Sequence, residues 1–196
     1  WYLPFFKYIK GEKVLSLGCG PNLYDDILIF GKTPKEVVGI DLNKNNLEFM
    51  KKSKHPELIK CKNLCLKKKI KVKLINRDIL KIRKDFINHF DSIYACGVIG
   101  LFNEKKLINL LNILHKYLKS KGIFLAVDWR DHQLTKERYA ERRSYNWYYE
   151  DGPTIKRMGE LMKKSGFKIL KYKRYDLSDK KEYGWGKIYI YLIQKI

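Results

Sequence analysis

The 196-residue chain lacks the features that mark several classes of protein. It has no run of about 18 apolar residues, which a membrane-spanning helix would need. Residues 1–9 are apolar and aromatic, but they lack the basic start and the small-residue cleavage site of a signal peptide. Four cysteines are too few for a disulfide scaffold of this size. These absences predict a reduced, cytoplasmic protein with no membrane partner. The chain also lacks an initiator Met, so we expect it to be a trimmed or processed form.

Metal ligands are equally sparse. Cys61 and Cys65 form a C-x-x-x-C pair, and His55 is the only further candidate ligand in that segment. Because a structural zinc site needs four ligands, the sequence predicts no metal site. Cys19 and Cys96 lie in other segments, where we expect them to be packing residues and not nucleophiles.

Acidic residues are only half as numerous as basic ones, 21 against 42, which gives a formal net charge of +21. A charge of this sign and size attracts nucleic acid and other polyanions. Most of the basic residues are Lys, and Asn and Ile are also abundant, which is a composition that an AT-rich genome produces on its own. Charge therefore leaves both a nucleic acid and a small molecule open as the partner.

The most informative segment is residues 13–22. An apolar run meets the turn Gly18-Cys19-Gly20, and a second apolar run, residues 37–40, ends in Asp41. Glycines let the backbone approach a ligand closely, a following helix presents free N–H groups, and a carboxylate at the next strand end can accept both ribose hydroxyls. The pattern predicts a nucleoside-binding site. A dinucleotide fingerprint would need a third glycine where the chain has Leu23, so a dinucleotide is disfavoured.

With this spacing, the segment resembles motif I of class I S-adenosylmethionine-dependent methyltransferases. Later segments resemble, in order, motifs II, III and IV and the strand that follows them: residues 39–41, 76–79, 90–95 and 122–126. The resemblance implies a Rossmann-like α/β three-layer sandwich, with a mostly parallel seven-stranded sheet that ends in a C-terminal antiparallel hairpin. Two positions depart from motif I: Ser16 stands where an acid is usual, and Asn22 where a third glycine is usual. Asp25 and Asp26, just downstream, could compensate for the missing acid.

The resemblance also implies S-adenosyl-L-methionine as the cofactor. Gly18 and Gly20 would lie along it, Asp41 would hold the ribose, and Asp78 would contact the adenine amine. Ile79 could stack on the adenine. The full set of predicted cofactor-binding residues is Ser16, Gly18, Cys19, Gly20, Asp41, Leu42, Asp78, Ile79 and Cys96.

Helix and strand signals alternate along the chain, which is typical of a parallel sheet flanked by helices. Asn43 is a predicted N-cap, and Asn103 begins a predicted helix with leucines on one face. The lysine-rich residues 53–73 fit either a helix and turn or a basic loop. The other predicted elements are helices over residues 21–29, 79–90 and 154–165 and strands over residues 167–175 and 187–193. No repeat or linker interrupts them, so we expect one domain over residues 1–196, with an N-terminal segment over residues 1–12.

Residues 128–153 are dense in aromatics, arginines and potential proton carriers, which favours a substrate lid. His132 and Tyr145 are the candidate catalytic residues, because a positioned His or Tyr can accept a proton from a methyl acceptor. The candidate substrate-binding residues can grip an anion or stack on a planar group, although the aromatic ones fit a buried core equally well. They are Arg130, Tyr139, Arg142, Arg143 and Trp147.

The methyl acceptor is least constrained by the sequence. Residues 96–102 resemble the S-x-V-x-x-h loop of small-molecule methyltransferases and lack the N-P-P-Y signature of enzymes that methylate exocyclic amines of bases. This favours a small-molecule acceptor. The alternatives are methyl transfer to RNA, a non-catalytic binding or scaffold protein on the same fold, and, less favoured, aminopropyl transfer. We expect a monomer or a homodimer.

Overall fold

The computed structural model describes residues 3–130, 155–176 and 187–196. Seven strands form one sheet in the order β3-β2-β1-β4-β5-β7-β6. The first five strands run parallel, and β7 is antiparallel to both β5 and β6. This confirms the predicted fold class, including the C-terminal antiparallel hairpin. The strands are β1 (Lys13–Leu17), β2 (Glu36–Asp41), β3 (Lys71–Asn76), β4 (Phe90–Cys96), β5 (Leu118–Arg130), β6 (Phe167–Asp176) and β7 (Lys187–Lys195).

Helices cover both faces of the sheet and make three layers. Within the described ranges they are α1 (Leu3–Phe6), α2 (Leu23–Leu28), α3 (Lys44–Lys52), α4 (Pro56–Lys67), α5 (Glu104–Tyr117) and α6 (Ile155–Lys164). Buried side chains of α1 to α4 form one core with one face of the sheet, and those of α5 and α6 form a second core with the other face. None of these helices combines the length and the apolarity needed to cross a membrane.

Two asparagine caps fix where helices begin. Asn43 accepts a hydrogen bond from the backbone N–H of Asn45 at 2.9 Å and opens α3. Asn103 accepts one from the backbone N–H of Lys106 at 3.0 Å and opens α5. The apolar residues spaced along each helix are buried, as the periodicity predicts: Leu47 and Met50 in α3, and Leu107, Leu110, Leu111 and Leu114 in α5.

The predicted helix over residues 79–90 is wrong. A single 3₁₀ turn, Lys84–Phe86, lies in this range, and β4 already begins at Phe90. The Asp78 carboxylate accepts the backbone N–H of Leu80 at 2.9 Å, which folds the chain into a turn and not into a continuous helix. Asn88 then takes a left-handed conformation, with φ of 51°. Phe86 and Phe90 are both buried, so their spacing reflects core packing without a helix.

The lysine-rich insertion forms a helix. Of the two alternatives for residues 53–73, the structure contains α4, with Pro56 in its first turn. Pro suits that position because its missing N–H has no helical partner there. Leu58, Cys61 and Cys65 are buried on one side of α4. The cysteine spacing is therefore explained by packing.

The N-terminal segment is part of the core that α1 to α4 form with the sheet. Phe6 and Ile9 are fully buried. The Phe6 ring stacks on Phe30 at 5.9 Å and meets Tyr94 edge-on at 5.5 Å between ring centroids. Offset and edge-on aromatic pairs of this kind stabilise a core beyond the area they bury.

The predicted lid needs one correction. Residues 128–130 belong to β5 and pair with β7, because the strand runs on to Arg130 before the chain leaves the sheet. Residues 131–154 lie outside the described residues. The lid therefore stays a prediction for that range.

Candidate cofactor site

Three parallel strands end together at one edge of the sheet. Leu17 is level with Ile40 on β2 and with Ala95 on β4. The glycine turn after β1, the acid at the end of β2 and Cys96 at the end of β4 therefore share the carboxyl edge. Ligands of open α/β sheets bind in the crevice beyond this edge.

The glycine turn requires glycine at two positions. Gly18 and Gly20 have φ of +56° and +55°, a left-handed conformation that side chains disfavour. A Cβ on Gly18 would also lie only 2.5 Å from Cγ2 of Val98. A Cβ on Gly20 would meet nothing within 4 Å, so this part of the turn is open. Asn22, by contrast, has an ordinary φ of −103°, and Asn is therefore tolerated where motif I usually has glycine.

Asp41 is held in place by the groups around it. Its side chain is 7% exposed. One carboxylate oxygen accepts the backbone N–H of Gly20 at 2.8 Å, and the other accepts the backbone N–H of Asn43 at 2.7 Å. These bonds join the glycine turn to the start of α3, and they orient a carboxylate at the strand end where a ribose diol would bind.

Asn76 is a residue that the sequence analysis missed. Its side-chain amide donates to the backbone carbonyls of Asp41 at 3.0 Å and Leu42 at 2.9 Å. This ties the end of β3 to the end of β2. The available signal was an amide side chain at the first position of the predicted motif III, but its partner lies 35 residues away.

The adenine end of the predicted site is only partly assembled. Asp78 is half-buried at the carboxyl end of β3, and one of its oxygens caps the turn at Leu80. Ile79 packs partly against the core that α5 and α6 form with the sheet. Leu42 is 73% exposed and free to contact a ligand.

The two cysteines of the site are neutral packing residues. Burial raises the pKa of the Cys19 thiol to about 12, with the nearby Asp41 carboxylate adding to the effect. Burial also raises the pKa of Cys96 far above its ordinary value. Neither thiol is a nucleophile at neutral pH, because the thiolate is the reactive form.

A cluster of three polar side chains lies beneath the glycine turn: Tyr94, Asp26 and Ser16. Tyr94 donates its hydroxyl to a carboxylate oxygen of Asp26 at 2.8 Å. Burial raises the pKa of Asp26 to about 6, although the Tyr94 hydrogen bond acts in the opposite direction. Ser16 is completely buried beside Tyr94, and its hydroxyl makes no hydrogen bond of normal geometry with any described residue. The predicted contact between Ser16 and the cofactor stays a prediction.

Asp128 closes the far side of the edge. It is 3% exposed at the end of β5. A Cβ on Gly100 would fall on its carboxylate, so the 3₁₀ turn Ile99–Leu101 lies directly against it.

The remaining predicted site residues have no described side chains. Arg130 is the last residue of β5, level with Lys187 on β7. The candidate catalytic and substrate-binding residues His132, Tyr139, Arg142, Arg143, Tyr145 and Trp147 lie outside the described ranges. No group of three or more metal-ligating side chains comes together in the part of the chain that is described.

The residues of the edge fit a nucleoside cofactor. An open left-handed glycine turn allows close backbone approach, and beside it a fixed carboxylate can accept a ribose diol. A second carboxylate, Asp78, lies two residues beyond the end of the neighbouring strand.

Comparison with known proteins agrees with this geometry. A family model described as a methyltransferase domain matches residues 9–183. An S-adenosylmethionine-dependent methyltransferase from Mesorhizobium loti superposes with a TM-score of 0.69 at 13% identity, over 99% of this chain and 97% of that one. A phosphoethanolamine N-methyltransferase from Haemonchus contortus, solved with S-adenosylhomocysteine, gives a TM-score of 0.64 at 16% identity, over 98% of this chain and 52% of that one. A cyclopropane synthase from Mycobacterium tuberculosis gives 0.66 at 14% identity, over 98% and 82%.

No curated protein matches the sequence significantly. At these identities the solved structures establish the fold, and the family model establishes the family, because it spans most of the chain. The protein belongs to the methyltransferase domain family and is an S-adenosylmethionine-dependent methyltransferase.

Proposed function

We propose that the methyl acceptor is a small molecule. The observation that carries the proposal is the path of the chain after β4. Gly97 turns the chain with φ of +68°, and the tight 3₁₀ turn Ile99–Leu101 follows, seated against the Asp128 carboxylate. This turn forms a short apolar wall at the edge of the site. It replaces the N-P-P-Y segment expected of an enzyme that methylates amines of bases.

The comparisons support the same acceptor class. The Haemonchus contortus enzyme was solved with phosphomonomethylethanolamine, a small molecule. The likeness to that enzyme extends over 98% of this chain.

The task of the protein is mainly to hold two molecules in line. Bound S-adenosylmethionine supplies a methyl group on a sulfonium, which is already a good leaving group. Positioning can therefore contribute much of the rate. Asp41 would fix the ribose, and Asp78 the adenine. His132 or Tyr145 would take the proton of an acceptor that starts protonated.

Transfer of a labelled methyl group tests the proposal. The protein would be incubated with methyl-labelled S-adenosylmethionine and a cell extract, which is then separated into small molecules, RNA and protein. We expect label in the small-molecule fraction. Label confined to RNA or protein would contradict the proposal.

Asp41→Asn is the matching variant, because it keeps the shape of the side chain and removes the charge. We expect it to weaken S-adenosylhomocysteine binding by roughly a hundredfold, since it affects charged hydrogen bonds to both ribose hydroxyls. Asp25→Asn makes the same charge change at an exposed residue and serves as the control. If the two variants bind S-adenosylhomocysteine with equal affinity, Asp41 does not bind the ribose.

RNA is the second candidate acceptor, and one surface favours it. Residues 51–73 contain ten lysines and one acid, Glu57. Three of the lysines line a shallow hollow of about 600 Å³ with an apolar floor on α4. Six make no ion pair with any described residue and so leave their charge available to phosphates. They are Lys54, Lys62, Lys67, Lys68, Lys69 and Lys71.

A salt titration separates the two acceptors. An RNA enzyme should bind RNA at low salt with an affinity that falls steeply as salt rises. The triple variant Lys67→Glu, Lys68→Glu, Lys69→Glu should then lose most of that binding. If the protein does not bind RNA even at low salt, the RNA acceptor is excluded and the small-molecule acceptor remains.

A further inference from the structure

The bound cofactor brings further positive charge to a strongly basic protein. The methionine end of S-adenosylmethionine carries a sulfonium, an ammonium and a carboxylate, so the cofactor is positive overall, and the chain itself has a net charge of +21. An ammonium that leaves water needs a negative partner. The candidates for this partner are the carboxylates at the methionine end of the carboxyl edge.

Position along the sheet narrows the choice. Asp41 is the last residue of β2, which would place the ribose on that side of β1. The methionine end would then extend over the glycine turn toward β4. Asp26 lies in this direction, because its carboxylate accepts the hydroxyl of Tyr94, which is on β4 two residues before Cys96.

Asp26 has the geometry of a binding group. One of its oxygens accepts the Tyr94 hydroxyl at 2.8 Å, and the other makes no hydrogen bond with any described residue. The side chain is mostly but not fully buried. A partly buried carboxylate with one oxygen fixed and one oxygen open is suited to a cation that approaches from the edge.

Ser16 provides a second, independent observation. It lies on β1 directly level with Tyr94, where the resemblance leads one to expect an acid. Its hydroxyl is fully buried and has no partner of normal geometry among the described residues. On the other side of Tyr94, α2 presents the Asp26 carboxylate, which accepts the Tyr94 hydroxyl.

We propose that Asp26 binds the ammonium group of the methionine moiety of the cofactor and that Tyr94 positions the Asp26 carboxylate for this contact. The proposal rests on the assignment of S-adenosylmethionine as the cofactor. It goes beyond that assignment by naming the counter-charge, which comes from a helix and not from the first strand.

Three ligands test the contact by calorimetry. S-adenosylhomocysteine keeps the ammonium and lacks the sulfonium charge, whereas 5′-methylthioadenosine keeps the nucleoside and lacks the ammonium. Asp26→Asn should weaken both S-adenosylmethionine and S-adenosylhomocysteine by roughly tenfold to a hundredfold, as expected for a hydrogen bond between charged groups. It should leave 5′-methylthioadenosine unchanged. Asp25→Asn, the same charge change on the neighbouring exposed residue, should leave all three ligands unchanged.

The dependence on pH provides a second readout. Burial raises the pKa of Asp26 to about 6, so only about one molecule in ten carries the charge at pH 5. Wild type should bind S-adenosylhomocysteine about tenfold more weakly at pH 5 than at pH 7, and Asp26→Asn should lose this dependence. The other titratable groups near Asp26 are Asp25 on α2, Cys19 in the turn, and Tyr94 and Cys96 on β4. Burial raises the pKa values of Cys19, Tyr94 and Cys96 above their ordinary values. The Asp25→Asn control accounts for the charge of Asp25.

The outcomes separate the proposal from its premise. If Asp26→Asn binds S-adenosylhomocysteine as tightly as wild type, the proposal is wrong and the cofactor assignment stands. Equal weakening of 5′-methylthioadenosine would likewise overturn it, because the variant would then have disturbed the whole site. If wild type binds none of the three ligands, the cofactor assignment fails together with the proposal.

Discussion

Replacing Asp26 with Asn should stabilise the cofactor-free protein at neutral pH. Burial raises the pKa of Asp26 from an ordinary 3.8 to about 6, so the folded chain holds a proton that the unfolded chain releases. A group of this kind lowers stability as the pH rises from below 4 through 6. At 1.36 kcal/mol for each pH unit, the carboxylate costs the folded state roughly 3 kcal/mol above pH 7. Asn carries no charge, and its side-chain oxygen can still accept the Tyr94 hydroxyl.

Urea unfolding of wild type and Asp26→Asn at pH 4, 5.5 and 7.5 measures this effect. The gain in the free energy of unfolding should be roughly 3 kcal/mol at pH 7.5 and below about 1 kcal/mol at pH 4. Taking the difference between the two proteins cancels the titration of groups that both contain. Asp25→Asn, a substitution at an exposed acid, should give no comparable gain.

A gain that is absent, or that is the same at all three pH values, would refute the reasoning, because only an ionised buried carboxylate produces this slope. Saturating S-adenosylhomocysteine should reduce this gain by roughly 1.4–2.7 kcal/mol, because that is the free-energy equivalent of a tenfold to hundredfold difference in affinity between the two proteins. A side chain that weakens the free protein and strengthens its complex is a common trade between stability and function.

Three further predictions concern the turn, a helix cap and a half-buried ion pair. Gly18→Ala should lower the free energy of unfolding by about 2–4 kcal/mol, because residue 18 has a left-handed φ and an added Cβ would contact Val98. In urea unfolding, the double variant with Val98→Ala should lose less free energy of unfolding than the sum of the losses in the two single variants. In thermal unfolding, Asn103→Ala should lower the free energy of unfolding by about 1 kcal/mol, and Asn22→Ala should lower it by less than half of that. Of these two residues, only Asn103 makes a capping hydrogen bond. Burial opposes ionisation of Asp91, but Lys119 and two backbone N–H groups lower its pKa overall. Asp91→Asn should therefore lose the most stability at neutral pH, and the loss should shrink below about pH 4. Unfolding measured as a function of pH checks this.

The sheet and the cofactor edge were predictable because their signals are local. The turn Gly18-Cys19-Gly20 and the acid after the next strand are short patterns, and each directly follows an apolar strand. Parallel pairing then brings strand ends together without any further information. The cofactor-binding roles of the individual residues nevertheless stay predictions.

Residues 79–90 show why apolar spacing alone misleads. Phe86 and Phe90 recur at a helical interval and are both buried, yet only three residues between 79 and 90 form a helical turn. The Asp78 carboxylate competes for the backbone N–H of Leu80, and the left-handed Asn88 breaks the run. Short capping interactions outweighed a weak periodicity here.

The group formed by Asp26, Tyr94 and Ser16 could not be found from the sequence alone. Asp26 stood out only as an acid after the glycine turn, and its partner Tyr94 is 68 residues away. Nothing local to either residue indicates the contact. Folding brings them together because Tyr94 is level with Ser16 in the parallel pairing of β1 and β4.

The order of the strands leaves β3 and β6 at the two margins of the sheet. An outermost strand presents unpaired backbone groups that can recruit a second chain into an aggregate. Both strands carry exposed lysines at alternate positions: Lys71 and Lys73 on β3, and Lys171 and Lys173 on β6. Joining two such margins would bring like charges together, which opposes edge-to-edge association. Part of the large positive charge of the chain thus opposes aggregation through the sheet edges, whatever the enzyme methylates.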